Sequence, residues 1–283
     1  MRGPLTHMAG KQRITRTILA GVLIVAASVV VAIGQETQPG ISGAAGAAKS
    51  CLKSLLLNFA VNRDGTTVRE VPIWRSGGDS SFFFEAGMTI DADGAPNAYN
   101  ADNTGLDDLS NAGDSRHWDG LVADENGAPF VQGPGDPFPG YYVSCTALTD
   151  RTKSLNDPRR YVDASKIPYV VLPGDLARDA GAHLGDFVAV VNMRNGKSSY
   201  AIFADIGTLG EGSIALAENL GISSDARQGG TRGGILYHVF AGSGNGKPRS
   251  LDEINSETAK LLQDWGGTDQ INACAVTQNR DQN

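Results

Sequence analysis

Residues 198–222, SSYAIFADIGTLGEGSIALAENLGI, change their periodicity halfway along the stretch. Side chains alternate between two faces up to Ala204, as in a β-strand, whereas apolar residues from Ile214 onward recur at helical spacing. Glycines in the intervening segment allow the backbone to turn sharply. The stretch therefore predicts a strand that ends at Asp205, a short turn, and a helix with Glu211 at its start.

The two acidic residues of this stretch, Asp205 and Glu211, form a candidate catalytic pair. Glycoside hydrolases use two carboxyls on rigid elements: one protonates the leaving oxygen, and the other activates water or attacks directly. Alternatively, each acid has only a structural role at its own position, because an acid is favoured near a helix N-terminus and an Asp can cap a strand end. The spacing of the pair leaves both interpretations open.

The composition indicates a β-rich fold with many turns. The chain has 283 residues, 36 of them Gly, with 19% charged and 41% hydrophobic residues, which is enough for a substantial core. Asn195-Gly196 between two apolar runs predicts a hairpin. A Ser250-to-Glu253 capping box predicts a helix that ends near Trp265, and the polar tail beyond Gly267 is expected to fray. We expect a mainly β fold with peripheral helices, and strands at 68–74, 82–90, 187–191, 198–204 and 234–241.

The N-terminus has the pattern of an export leader. Residues 1–16 contain four cations and no acid, and residues 18–33 are apolar apart from Gly21 and Ser28. We predict a signal peptide or an uncleaved signal anchor at 1–34, a flexible linker at 35–49, and a single catalytic domain at 50–283. The predicted location is therefore secreted, or membrane-tethered if the leader is not cleaved.

The mature protein is predicted to be acidic. Removing the four positive charges of the leader from a formal net charge of −7 leaves −11. A negative field repels nucleic acid and anionic membranes and attracts a polycation, although acidity can also serve solubility alone. We expect no nucleic-acid partner and no obligate protein partner.

The sequence lacks the motifs of several other enzyme classes. It has no G-x-S-x-G element of serine hydrolases and no HExxH or paired-His spacing of zinc enzymes, so neither a metal nor a cofactor is expected. The three cysteines, Cys51, Cys145 and Cys274, match no zinc pattern. In an exported chain they allow at most one internal disulfide, and the sequence does not assign its partners.

Candidate substrate-binding residues lie in the loops after the predicted strand at 82–90. Asp91 and Asp93 begin the most polar loop of the chain, and their D-x-D-G pattern lacks the remaining ligands of a calcium loop. They either face substrate or form an Asx-type turn. Trp118 and Tyr141 lie among turns, where aromatic rings stack on sugars or fill a small satellite core.

Four ordered blocks carry a family resemblance. They are MTIDADG at 88–94, YVDASKIPYVVLPG at 161–174, LGD at 184–186 and DIGTLGEGSIALA at 205–217. Together they resemble the chitosanases of glycoside hydrolase family 75 over roughly residues 62–244. The resemblance implies a six-stranded double-psi-type β-barrel with Asp205 and Glu211 as the essential carboxylates.

The same resemblance implies an activity. The protein is expected to be an exported endo-chitosanase that cleaves the β-1,4 glucosamine linkages of chitosan, a cationic amino-sugar polymer, with inversion. One assignment makes Glu211 the general acid and Asp205 the base, but burial decides which carboxyl has the higher pKa. Two alternatives stay open: hydrolysis of another amino-sugar polymer such as peptidoglycan, and glycan binding without catalysis.

Overall fold

A computed structural model of the protein describes residues 51–62 and 68–280. The leader expected at 1–34 and the linker expected at 35–49 lie outside the described residues, so both stay predictions. Within the described residues, no helix has the length and apolar character that a membrane span requires.

Strands dominate the described chain, and four α-helices accompany them. Two short 3-10 turns, Leu109–Ala112 and Pro158–Arg160, lie in the long loops. The helices are α1 (Gly174–Ala180), α2 (Ile214–Asn219), α3 (Leu251–Trp265) and α4 (Gly267–Arg280). The strands are β1 (Lys53–Asn62), β2 (Val68–Ser76), β3 (Phe82–Asp91), β4 (Gly113–Asp114), β5 (His117–Trp118), β6 (Tyr169–Leu172), β7 (Phe187–Asn192), β8 (Ser198–Ile206), β9 (Glu211–Ser213) and β10 (Thr231–Val239).

Six strands close into a barrel in the order β3-β10-β7-β8-β6-β9, and β9 returns to pair with β3. Four pairs are antiparallel, whereas β6–β8 and β3–β9 are parallel. The hairpin β1–β2 extends the sheet beyond β3, and β4 with β5 forms a separate small ribbon. The mainly β fold with peripheral helices and the six-stranded barrel are confirmed.

The core consists of the apolar side chains of the barrel strands. All six residues of β7 and all four of β6 are buried, which explains why these strands are runs of apolar residues without alternation. Large rings pack together inside the sheet, including Phe84 against Tyr237 with ring centroids 4.8 Å apart. Burying one such aromatic side chain contributes about 1.5–3 kcal/mol.

Several expected elements form as predicted. Asn195-Gly196 lies in the turn between the antiparallel strands β7 and β8, with Gly196 at φ 74°. Ser250 and Glu253 form the reciprocal capping box at the start of α3. The first strand of the described chain, β1, covers Lys53–Asn62.

Two local expectations are wrong, and one helix was not expected. Glu211 opens the three-residue strand β9 rather than the helix, because barrel closure pairs this segment with β3 and β6; Ser213 caps α2 instead. Pro173-Gly174 ends β6 but also begins α1, which the sequence did not predict. The tail beyond Gly267 is the helix α4 rather than a frayed end.

A disulfide joins Cys51, just before β1, to Cys274 of α4. This bond, together with the burial of Ile271 and Cys274, explains why a polar tail forms a helix. The sequence had left the pairing open, and the structure leaves Cys145 as the free cysteine of the described residues.

Candidate active site

Asp205 lies near the C-terminal end of β8, where its carboxylate is tied to the backbone. Its Oδ1 accepts hydrogen bonds from the N–H groups of Ala147, at 2.8 Å, and Ile206, at 2.9 Å. Burial raises the pKa of Asp205 to about 7, and the negative charge of Asp91 adds to this effect against the two backbone donors. The carboxyl can therefore hold or release a proton near neutral pH.

Glu211 begins β9 at the end of a glycine-containing turn. Its Oε2 accepts a hydrogen bond from the N–H of Thr208 at 2.9 Å, and the hydroxyls of Thr208 and Thr89 also contact its carboxylate. A Cβ at Gly207 would come within 3.0 Å of this Oε2, so a larger residue there would press on the carboxylate. Burial raises the pKa of Glu211 to about 7.

Val171 of β6 lies between the two acids in the sheet and fixes their relative position. Val171 pairs with Asp205 on one side and with Glu211 on the other. Register partners in neighbouring strands point their side chains to the same face, so the two carboxyls project from the same side of β6. Two strand spacings place their Cα atoms about 9.5 Å apart. The barrel thus brings together the pair that the sequence singled out.

Asp91, at the end of β3, is a third carboxylate on this face. Thr89 pairs with Glu211, and Asp91 follows two residues later on the same face, so its Cα lies about 8 Å from that of Glu211. Its Oδ1 accepts from the N–H of Asp93 at 2.8 Å, and its carboxylate contacts the hydroxyl of Tyr169. Burial raises the pKa of Asp91 to about 6.

Asp93 is fixed by neighbours within the protein. Its Oδ1 accepts from the hydroxyl of Tyr99 at 2.8 Å, and this hydroxyl also lies 3.2 Å from Oδ2 of Asp107. A Cβ at Gly120 would come within 2.6 Å of Oδ1, so glycine is needed there for the carboxylate to fit. Burial, followed by the charges of Asp91 and Asp205, raises the pKa of Asp93 well above its usual range.

Asp91 and Asp93 together form the Asx-type turn that the sequence offered as one interpretation of D-x-D-G. The same turn places both carboxylates beside Asp205 and Glu211, so it serves the acidic cluster as well. The structure therefore shows the turn, and a substrate-facing role for the two residues stays a prediction.

The two aromatic candidates lie in the loops that follow. Trp118, in β5, is partly buried against the core, and its Nε1–H donates to the carbonyl oxygen of Gly127 at 2.9 Å. Tyr141 is partly exposed and packs edge-on against Phe138, whose side chain is 41% exposed. Neither ring has a described contact with the four carboxylates.

Sequence reasoning missed two groups of this site. Tyr169, in β6, is fully buried, and its hydroxyl donates to the carbonyl oxygen of Asp93 at 3.0 Å beside the Asp91 carboxylate. Cys145 lies near Asp93 and Asp205; burial and these charges raise the pKa of its thiol to about 12, so it stays protonated. Tyr169 could have been found from its position two residues before Val171, because alternate residues of a strand share a face. Nothing in the sequence marked Cys145.

Within residues 51–62 and 68–280, no group of three or more His, Cys, Asp or Glu side chains is arranged to hold a metal ion. The arrangement supports general acid–base chemistry, because two carboxyls on one face both exchange protons near pH 7. Such perturbed pairs cluster at functional sites.

Comparison with known proteins agrees with this chemistry. A sequence model of one protein family, described as fungal chitosanase of glycosyl hydrolase group 75, matches residues 88–265. The match covers more than half of the chain and includes all four acidic residues of the site. A search among curated proteins gives no match. The chain therefore belongs to the group 75 family of glycosyl hydrolases, the fungal chitosanases.

Proposed function

We propose that this protein is an exported endo-acting chitosanase that hydrolyses β-1,4 glucosamine linkages with inversion, using Asp205 and Glu211. The observation that carries the proposal is that both acids flank Val171 and project from the same face of the sheet, each with a pKa raised to about 7. Family membership supports the polymer as substrate. Export rests on the leader pattern at 1–34.

The hydrogen bonds favour Glu211 as general acid and Asp205 as base. Two backbone N–H groups donate to one oxygen of Asp205, and a fixed pair of such donors favours the ionised form. Glu211 accepts one backbone N–H and otherwise contacts hydroxyls, which can also accept a proton from a neutral carboxyl.

The proposed reaction moves one proton at each carboxyl. The Glu211 carboxyl protonates the glycosidic oxygen as the bond from that oxygen to C1 breaks. A water attacks C1 from the opposite face of the sugar and gives its proton to Asp205. Inversion requires the carboxyls about 6.5–9.5 Å apart, which is compatible with Cα atoms about 9.5 Å apart when the side chains lean together.

The substrate is proposed to be drawn in by charge. The ammonium groups of glucosamine are attracted to the negative charge of the acidic protein, and we propose that Asp91 and Asp93 contribute to this field when they are ionised. Trp118 and Tyr141 are proposed to stack on sugar rings at the cleft margin. We expect substrate binding to weaken as salt concentration rises.

The test compares three polymers and two variants. Soluble chitosan, chitin and peptidoglycan are digested, products are sized, and the anomer formed first is identified by proton NMR. Glu211→Gln and Asp205→Asn are each expected to lower kcat on chitosan about 1,000-fold, because each removes a proton-transfer group while keeping its shape. Asp124→Asn, in an exposed turn, is the matched control and should keep full activity.

Three results would contradict the proposal. Full turnover by either variant would remove that residue from the mechanism, and a first product of retained configuration would exclude inversion. Cleavage of peptidoglycan in place of chitosan would change the substrate, and binding of chitosan without any cleavage would indicate a glycan-binding protein.

A further inference from the structure

We propose that Asp91 is a positioning residue for the reaction: it acts through Glu211 and Asp205, and its negative charge keeps a proton on the catalytic pair. This inference rests on the proposed function, since it concerns the same site. It gives Asp91 a role different from contact with the sugar.

The position of Asp91 is fixed by the barrel. The pairing of Thr89 with Glu211 places Asp91 on the face of Glu211, with Cα atoms about 8 Å apart. The N–H of Asp93 and the hydroxyl of Tyr169 both hold its carboxylate, so it cannot turn freely toward a ligand. A carboxylate held in one place acts on its neighbours whenever it is ionised.

Asp91 acts on both members of the pair. Its charge raises the pKa of Asp205 more strongly than the charge of Glu211 does, and it is also the negative charge that raises the pKa of Glu211. Asp91 itself has the lower pKa, about 6 against about 7, so it ionises first as pH rises. The titratable groups that face Asp91 are Asp93 and Asp107 from the following loop, Tyr169 from β6, Asp205 from β8, Glu211 from β9 and Cys145 from the loop after β5.

An inverting hydrolase needs one carboxyl protonated and one ionised at the same pH. Two carboxyls alone in an exposed cleft would both be ionised at neutral pH. A third carboxylate in a fixed position, once it is ionised above about pH 6, disfavours the doubly ionised pair and retains one proton on it. Asp91 therefore extends toward neutral pH the range in which one carboxyl of the pair is protonated and the other is ionised.

The test is the pH profile of Asp91→Asn. Asparagine keeps Oδ1 as acceptor for the Asp93 N–H and removes only the charge, so the turn should stay intact. Both limbs of the kcat profile on chitosan are expected to move to lower pH by about one unit. At pH 7 this displacement appears as a loss of about three- to fivefold in kcat, which is regained in more acidic buffer.

Three variants control for other effects. Asp91→Glu should restore the limbs toward their original pH, and Asp124→Asn should leave them unmoved. Tyr169→Phe removes one hydrogen bond to Asp91 but no charge, so it should change the profile less than Asp91→Asn does. Equal loss of kcat at every pH with unmoved limbs would overturn the proposal, as would a rise in KM alone, which indicates sugar contact.

A second measurement does not depend on activity. The side-chain carboxyl of Glu211 is followed by 13C NMR in protein labelled at glutamate, with Glu211→Gln identifying the signal. Asp91→Asn should lower the pH at which Glu211 titrates. An unchanged titration would overturn the role of Asp91 even if chitosan is cleaved, and a lowered titration in a protein that cleaves no chitosan would overturn only the proposed function.

Discussion

Two buried titratable regions of this protein respond to burial in opposite ways. On the carboxylate face, formed by Asp91, Asp93, Asp205 and Glu211, burial raises pKa values. In the aromatic pocket around His238, burial lowers the pKa of the imidazole to about 3. The four carboxylate residues are partly shielded from water and His238 is buried, and in each region the uncharged form is favoured.

The outcome differs because the starting pKa values differ. A carboxyl moved from about 4 to about 7 acquires an equilibrium between its two forms near neutral pH. A histidine moved from about 6.5 to about 3 loses that equilibrium and stays neutral. Burial thus gives the carboxylate face a titration near neutral pH and leaves the histidine uncharged.

The two regions are also held in different ways. The carboxylates are placed by strand register and backbone hydrogen bonds, whereas His238, 1% exposed, is enclosed by rings. Its ring centroid lies 4.0 Å from that of Trp265 in α3 and 4.6 Å from that of Phe240, and its Nε2 has no hydrogen-bond partner among the described residues. The nearby disulfide fixes α4 to the start of β1.

The largest expected effect tests whether the two regions are independent. Replacing both Cys51 and Cys274 by Ser opens a loop closed over 223 residues and should lower the free energy of unfolding by about 4 kcal/mol. The kcat of the folded protein should change less than twofold, because the carboxylate face is held by strand pairing. Urea unfolding and chitosan turnover measure the two effects; a parallel fall in kcat would show that the regions are coupled.

A smaller effect concerns His238 at acid pH. Since the folded pKa lies below the unfolded value, only the unfolded state gains a proton here, and stability falls as pH drops from about 6.5 toward about 3. His238→Phe should remove about 3 kcal/mol of the stability difference between pH 7 and pH 4, without loss of kcat. Unfolding at both pH values checks this, with exposed His183→Phe as control; an unreduced difference would show that His238 is not its source.

The smallest effect concerns Glu211, whose contribution to stability falls as pH rises, opposite to that of His238. Because the folded pKa of Glu211 is raised, its neutral form stabilises the protein below the unfolded pKa, and this contribution is lost as pH rises through about 7. Glu211→Gln should therefore be more stable than the original protein by about 1–2 kcal/mol at pH 8 and equal to it at pH 4. Melting temperatures at the two pH values test this, and exposed Glu257→Gln should show no such change; a variant less stable at pH 8 would contradict the assignment.

Much of the chain could be interpreted from local patterns. The β7–β8 hairpin, the capping box of α3 and the strand that ends near Asp205 follow from turn residues and periodicity, which act over a few neighbouring positions. The helix α4 could not be predicted, because its stability depends on a disulfide to a residue 223 positions away. Strand β9 was missed for a similar reason, since three residues gain strand structure from β3 and β6 on either side.

The sequence by itself determined which residues are the candidates for the chemistry. It indicated Asp205 and Glu211 as a pair, and Asp91 and Asp93 as a turn or as substrate-facing residues. It also indicated the family, because these signals lie in short ordered blocks. The tertiary structure alone decided how the groups meet: Val171 sets the pair on one face, and β3–β9 pairing adds Asp91. Proton affinity depends on burial and on neighbouring charge, and both come from residues far apart in the chain.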